Sequence, residues 1–293
     1  MMNDKCISFN LDGNAFRGRI VRLDNVLAEM FAHRAYPDNV ASAVAETSAL
    51  GVILASLMKF DGIFTLQMQG DGAISVLVAD VTSTGKVRAT AKYDEAKMHA
   101  AQELRKTEGE LEATPHWLGK GNLIFTIDQG ANTELYQGVV DLQGKTLAEC
   151  ALRYFKNSEQ IDTHLRLFVR KNEQGWQAAG LLLQKMPTKG GKASEAADDL
   201  SEVWNEDKIL ADSLRQDEIF DVNLSLEDIL YRLFHEHKVA VNKVSEYSFG
   251  CRCEREKLRA TLSSMSAEEI DAMVENGKIT ATRSEEHTSE LQS

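Results

Sequence analysis

KFDGIFTLQMQGDGAISVLVAD, residues 59–80, is the stretch from which the fold can be read. Two runs, 63–69 and 73–80, have strand-like apolar patterning. Gly70-Asp71-Gly72 between them is expected to make a tight turn with its glycines at positive φ. So short a connection leaves no room for a crossover, so the strands must pair antiparallel. A third strand is expected over 86–92. Upstream, 4–10 and 17–22 alternate as short strands and 24–33 reads as a helix. Pro37 and Asp38 then open a stronger helix, because proline suits a first turn whose N–H has no partner and an acid suits the positive end of the dipole. Val40, Val44, Thr47, Leu50, Leu54 and Met58 follow at spacings of three and four, which predicts one core-facing side. A polar helix over 94–106, a strand over 122–128, a helix over 147–156 and a hairpin from 165–170 and 177–184 complete an α+β domain. It is expected to hold a central antiparallel sheet with packed helices, over residues 1–187.

Met186-Pro187-Thr188-Lys189-Gly190-Gly191-Lys192 punctuates the chain, since proline and paired glycines stop regular structure. Between 192 and 221 ten acidic residues face three basic ones, a net charge of −7 out of −12 for all 293 residues. Leu200, Val203, Leu210 and Leu214 still lie on one helical stripe, interrupted by Asp207, with Trp204 beside it. Residues 188–224 are therefore expected to form an acidic amphipathic linker helix that needs a partner surface, with one buried acid and mutual repulsion making its docking marginal. A third segment, 225–282, opens with a helix capped by Ser225. It also carries a capping-box spacing at Ser266 and Glu269.

The acidic balance works against nucleic acid or an anionic membrane as the main partner. With 43% hydrophobic residues the chain can bury a large core. Its longest apolar runs are too short for a membrane span and the start lacks a signal core, so a cytoplasmic protein is expected. Four cysteines, two of them spaced as Cys-x-Cys, favour metal or redox chemistry over a disulfide scaffold. Gly144-Lys145-Thr146 after Gly138 has the wrong spacing for a phosphate loop. No local signature of a catalytic grouping is present, and the chain reads as no enzyme. Cys6 and Cys150 sit in apolar segments and are expected to pack as small apolar residues. Cys251 and Cys253 differ. They lie on a polar stretch beside Arg252, Arg255 and Lys257, where thiolates form easily, and thiolate is the form that binds metal or meets an oxidant. Zinc wants four ligands. His235 and His237 offer a two-His, two-Cys alternative beyond a helix end, against a reading as ordinary solvated histidines. Residues 283–293, RSEEHTSELQS, are similar to the conceptual translation of a sequencing adapter. They are set apart from the fold as a non-native tail, and natural sequence is expected to continue beyond about Thr282.

The ordered segments 59–80, LGKGNLIFTIDQG (118–130), YQGVVDLQGKTLAECALRYFKNSEQIDT (136–163), AAGLLLQKMP (178–187), RLFHEHKV (232–239) and FGCRCEREKL (249–258) resemble the bacterial redox-regulated heat-shock chaperones known as the thirty-three-kilodalton chaperonin family. The resemblance implies an ATP-independent holdase that binds unfolding client proteins under stress, is dimeric when oxidised, and is switched by a C-terminal zinc domain. It implies Zn2+ held by Cys251 and Cys253 together with a later Cys-x-x-Cys pair, expected near position 283, where the tail begins. It also implies that Cys251 and Cys253 are redox-active, forming a disulfide on oxidation. Two other classes remain to be separated from this one: a zinc-dependent nucleic-acid module, and an enzyme with its site on the α+β domain.

Overall fold

The computed structural model describes residues 4–108, 113–130, 135–187 and 196–250, and the backbone of 274–275, 278–281 and 289–292. Its antiparallel strands divide between two sheets. The five-stranded sheet contains β1 (Lys5–Leu11), β2 (Phe16–Leu23), β8 (Thr163–Asn172), β9 (Gly175–Lys185) and β10 (Ala240–Glu246), in the order β10-β1-β2-β9-β8. The six-stranded sheet contains β3 (Ile63–Gly70), β4 (Ile74–Thr82), β5 (Lys86–Tyr93), β6 (Gly121–Asp128), β7 (Tyr136–Asp141) and β11 (Ser248–Phe249), in the order β11-β5-β4-β3-β6-β7. All of these pairings are antiparallel except β11 with β5. Helices α1 (Asn25–His33), α2 (Asp38–Ser56), α3 (Glu95–Glu108), α4 (Thr114–Leu118) and α5 (Leu147–Tyr154) belong to the same body. A small sheet of β12 (Val274–Glu275), β13 (Lys278–Ala281) and β14 (Ser289–Gln292) follows.

The β3–β4 hairpin pairs as expected, Ile63 opposite Thr82 through Gln69 opposite Val76. Its turn glycines act differently from expectation. Neither Gly70 nor Gly72 has positive φ. They are small because the segment entering β6 passes close by: a Cβ at Gly70 would lie 2.0 Å from the Leu118 carbonyl oxygen, and one at Gly72 2.3 Å from that of Trp117.

Helix α2 corrects a second expectation, since it is buried nearly all round rather than on one face. It lies between the sheets, touching β2, β8 and β9 on one side and β3, β4 and β5 on the other. Its alanines and glycine permit this: a Cβ on Gly51 would already stand 3.2 Å from that of Ala79 on β4. Length and composition alone would suit α2 to a membrane, but 78% of its apolar window is buried inside the protein.

Helices α6 (Ala196–Ser213), α7 (Gln216–Ile219) and α8 (Leu226–Phe234) cover the five-stranded sheet on the side away from α2. The sequence boundary at 225 assigns α8, β10 and β11 to the third segment, yet α8 packs on the first segment, β10 pairs with β1 and β11 with β5. Ser225 caps α8 as expected, its Oγ accepting from the Asp228 N–H at 3.0 Å. Leu50, fully buried in α2, tests the central layer. Leu50→Ala is expected to cost about 2–5 kcal/mol in urea unfolding; a loss well under about 1 kcal/mol would contradict its place between the sheets.

Candidate functional site at the dock of the acidic helix

Strand β9 is buried along almost its whole length, because both of its faces meet a core. Ala178 and Leu182 point into the layer with α2, whereas Ala179, Leu181 and Leu183 point the other way. On that outer face they join Ile7, Phe9, Phe16 and Ile20, all with no exposed surface. Gly18 makes room for the ring of Phe9, which occupies the space a Cβ would need. A continuous apolar run such as AAGLLL is the sequence mark of a strand covered on both sides.

The cover is the acidic segment. Trp204 of α6 stacks on Phe16 at 5.6 Å, and Ala211, Leu214, Ile219, Phe220, Leu230 and Phe234 are buried against the same face. Phe234 stacks on Phe9 at 6.1 Å. Of the expected stripe Leu214 is buried, while Leu200, Val203 and Leu210 are half-buried against the same cluster.

The sheet answers the acidic charge with cations aimed at the segment's main chain. Arg166 on β8 donates to the carbonyl oxygens of Ala211, Asp212 and Leu214 at 3.0, 2.6 and 2.8 Å, receiving the negative end of the α6 dipole. Arg170 donates to the Phe220 carbonyl at 2.9 Å, and Arg22 to that of Leu224 at 3.0 Å. His164 meets the Asp212 carboxylate at 3.0 Å, and Lys185 donates to Ser201 Oγ at 3.0 Å. The mutual repulsion expected of this segment is therefore offset by its dock.

One element opposes docking. Asp207 is fully buried on the α6 face, and neither of its carboxylate oxygens accepts a hydrogen bond among the described residues. Burial pushes its carboxyl up to about 7, with His237 drawing it down and Asp12 and Glu206 raising it further. His237 Nδ1 lies 3.1 Å from Asp12 Oδ2 and 3.5 Å from Asp207 Oδ1. His237 is thus no ordinary solvated histidine: it is buried in the turn after α8, where its carbonyl also accepts from the Asp12 N–H at 2.9 Å. His235 is exposed beside Glu236.

Cys251 and Cys253 lie outside the described residues, as do Ser266 and Glu269. Cys6 and Cys150 are buried free thiols, pushed up to about 11 by desolvation, as their apolar surroundings predict. Thr146 is the N-cap of α5, and the Glu149 carboxylate accepts from the Lys145 N–H at 2.7 Å, so the helix end a phosphate would need already holds an acid. The arginine grip and the Asp12–Asp207–His237 cluster escape sequence reading, because their partners are main-chain groups or lie about two hundred residues apart.

The family model described as Hsp33 protein matches residues 4–283. The chain is 33% identical over 287 residues to the 33 kDa chaperonin of Caulobacter vibrioides, covering 96% of this chain and 92% of that one. It is also 33% identical over 282 residues to that of Chromobacterium violaceum, covering 94% and 86%. The crystal structure of the 33 kDa chaperonin from Thermotoga maritima shares the fold with a TM-score of 0.79 at 20% identity, covering 99% of this chain and 95% of that one.

Two substitutions should move the dock in opposite directions. Arg166→Ala uncaps three carbonyls and is expected to weaken docking by about 1–3 kcal/mol. Asp207→Leu removes a buried acid and, with metal ions chelated, is expected to strengthen docking by about 1–4 kcal/mol. Hydrogen exchange over 200–214 reads both; slower exchange in Arg166→Ala or faster exchange in Asp207→Leu would contradict these roles.

Proposed function

Since this chain belongs to the Hsp33 family of chaperones, which are not enzymes, we propose that it is an ATP-independent holdase whose client surface is the outer face of the five-stranded sheet, uncovered when the acidic segment leaves. One observation carries the reading. A face holding Ile7, Phe9, Phe16, Ile20 and Leu181 is covered by a separate, net acidic stretch of chain rather than by the domain's own interior. Exposed apolar patches of that kind bind other proteins. Unfolding clients supply the apolar segments that such a face lacks once it is bare.

The trigger proposed is oxidation of Cys251 and Cys253. Hydrogen peroxide takes two electrons from the two thiolates, an S–S bond forms as the O–O bond breaks, and with two protons from solvent the peroxide leaves as two waters. When bound, zinc supplies cross-linking energy that a small domain without a large core lacks. The donors fit zinc in kind: Cys6 and Cys150 are buried in the core, whereas Cys251 and Cys253 would supply two of the four ligands that zinc takes. The chain's own part is mechanical. β10 and β11 tie the segment before Cys251 to the edges of both sheets, and α8 lies between that tie and α6. Release of zinc from Cys251 and Cys253 would remove support from β11 first, then from β10 and α8, and last from α6. We assign clients and a second copy of the chain as partners of the oxidised form, in the cytoplasm, with no role for nucleic acid.

Peroxide-treated protein without ATP should suppress light scattering by a thermally unfolding client at near-stoichiometric ratio, while the reduced form should not. Arg166→Ala should suppress scattering at a lower dose of oxidant. Equal activity before and after oxidation would remove the switch, and no activity in either state would remove the holdase.

A further inference from the structure

We propose that Asp12, Asp207 and His237 form a metal site distinct from the thiol pair, taking a divalent cation of zinc-like preference and tying the acidic helix to the turn between β1 and β2. The three ligands come from separate parts of the chain: that turn, α6, and the turn after α8. Their ligand atoms lie within 4.8 Å of one another. His237 Nδ1 stands 3.1 and 3.5 Å from the nearest oxygens of Asp12 and Asp207. A tetrahedral ion with bonds of roughly 2.1 Å separates its ligands by about 3.4 Å, so little movement is needed to close the site.

Asp207 supplies the independent sign of a ligand. Its side chain is fully buried, points into the cluster, and neither oxygen accepts a hydrogen bond among the described residues. His237 alone does not resolve this, because its Nδ1 stands nearer Asp12, at 3.1 Å, than Asp207, at 3.5 Å, and two carboxylates would share one ring nitrogen. A divalent ion neutralises both. Glu206 lies on the far side of the imidazole, 3.9 Å from Nε2, and adds a further negative charge beside the cluster. Asp12 is partly exposed and gives the ion a way in and a fourth position open to water. One nitrogen and two carboxylate oxygens suit Zn2+ and its first-row neighbours better than Mg2+ or Ca2+, which seek more oxygen ligands.

The site exists only while α6 is docked, so the ion must favour the docked state by mass action. It is a hold on the same helix that answers to metal concentration rather than to oxidant, and its existence does not depend on the redox reading.

The test uses the reduced full chain with its thiols intact, titrated with Zn2+ by calorimetry and with Co2+ by absorption. One Co2+ per chain without thiolate charge transfer, apart from any ion on the thiol pair, and slower hydrogen exchange over 200–214 are expected. Both should be lost in Asp207→Asn and in His237→Gln, which leave the thiol pair in place. Asp12→Asn, at a turn position where asparagine tolerates the left-handed backbone, decides the matter if either buried variant does not fold. Absence of thiolate-free binding in the reduced chain, or such binding that survives these substitutions, would overturn the proposal.

Discussion

The five-stranded sheet has two apolar faces, and neither can be left in water. The inner face is covered by α2, which the second sheet holds from behind. Among the described residues the outer face is covered by the segment from α6 to α8. Each large side chain moved from water into such a contact contributes on the order of 1.5–3 kcal/mol. The segment is held chiefly because the sheet needs a cover, not because an acidic helix of this length would be stable alone.

Two other terms tune that contact. Arg22, Arg166 and Arg170 donate to main-chain carbonyls, so the grip depends on the segment's being folded and not on which side chains it carries. Asp207 acts the opposite way, as a buried acid without a hydrogen-bond donor among the described residues. A cover made of apolar contacts alone would be hard to remove. One with a charge in its middle keeps its docking energy low enough for a modest event elsewhere in the chain to release it.

The hairpin of 59–80, α2, the closing hairpin and the capped α8 were legible because each is set by local patterning: alternation, a proline at a first turn, a serine before an acid. The division into two sheets was not. It depends on α2 being small enough to lie between them, and the residues responsible, such as Gly51 and Ala49, carry little hydrophobic signal in a stripe dominated by Val and Leu. The pairing of β10 with β1 also escaped, because AVNKVSE is a largely exposed edge strand with weak patterning. Of the site, Asp207 stood out as a break in an apolar stripe. His237 did not, since nothing in HEHK says that a turn more than two hundred residues away will lie against it. Cys251 and Cys253 were singled out by spacing and residue type, and they lie outside the described residues.

The most direct test is hydrogen exchange followed across the whole chain as reduced protein is oxidised, with client binding measured on the same samples. Loss of protection over 200–234 in step with the gain of client binding, while α2 and β3–β6 stay protected, is the predicted result. Client binding that appears while 200–234 remains as protected as in the reduced protein would contradict the account.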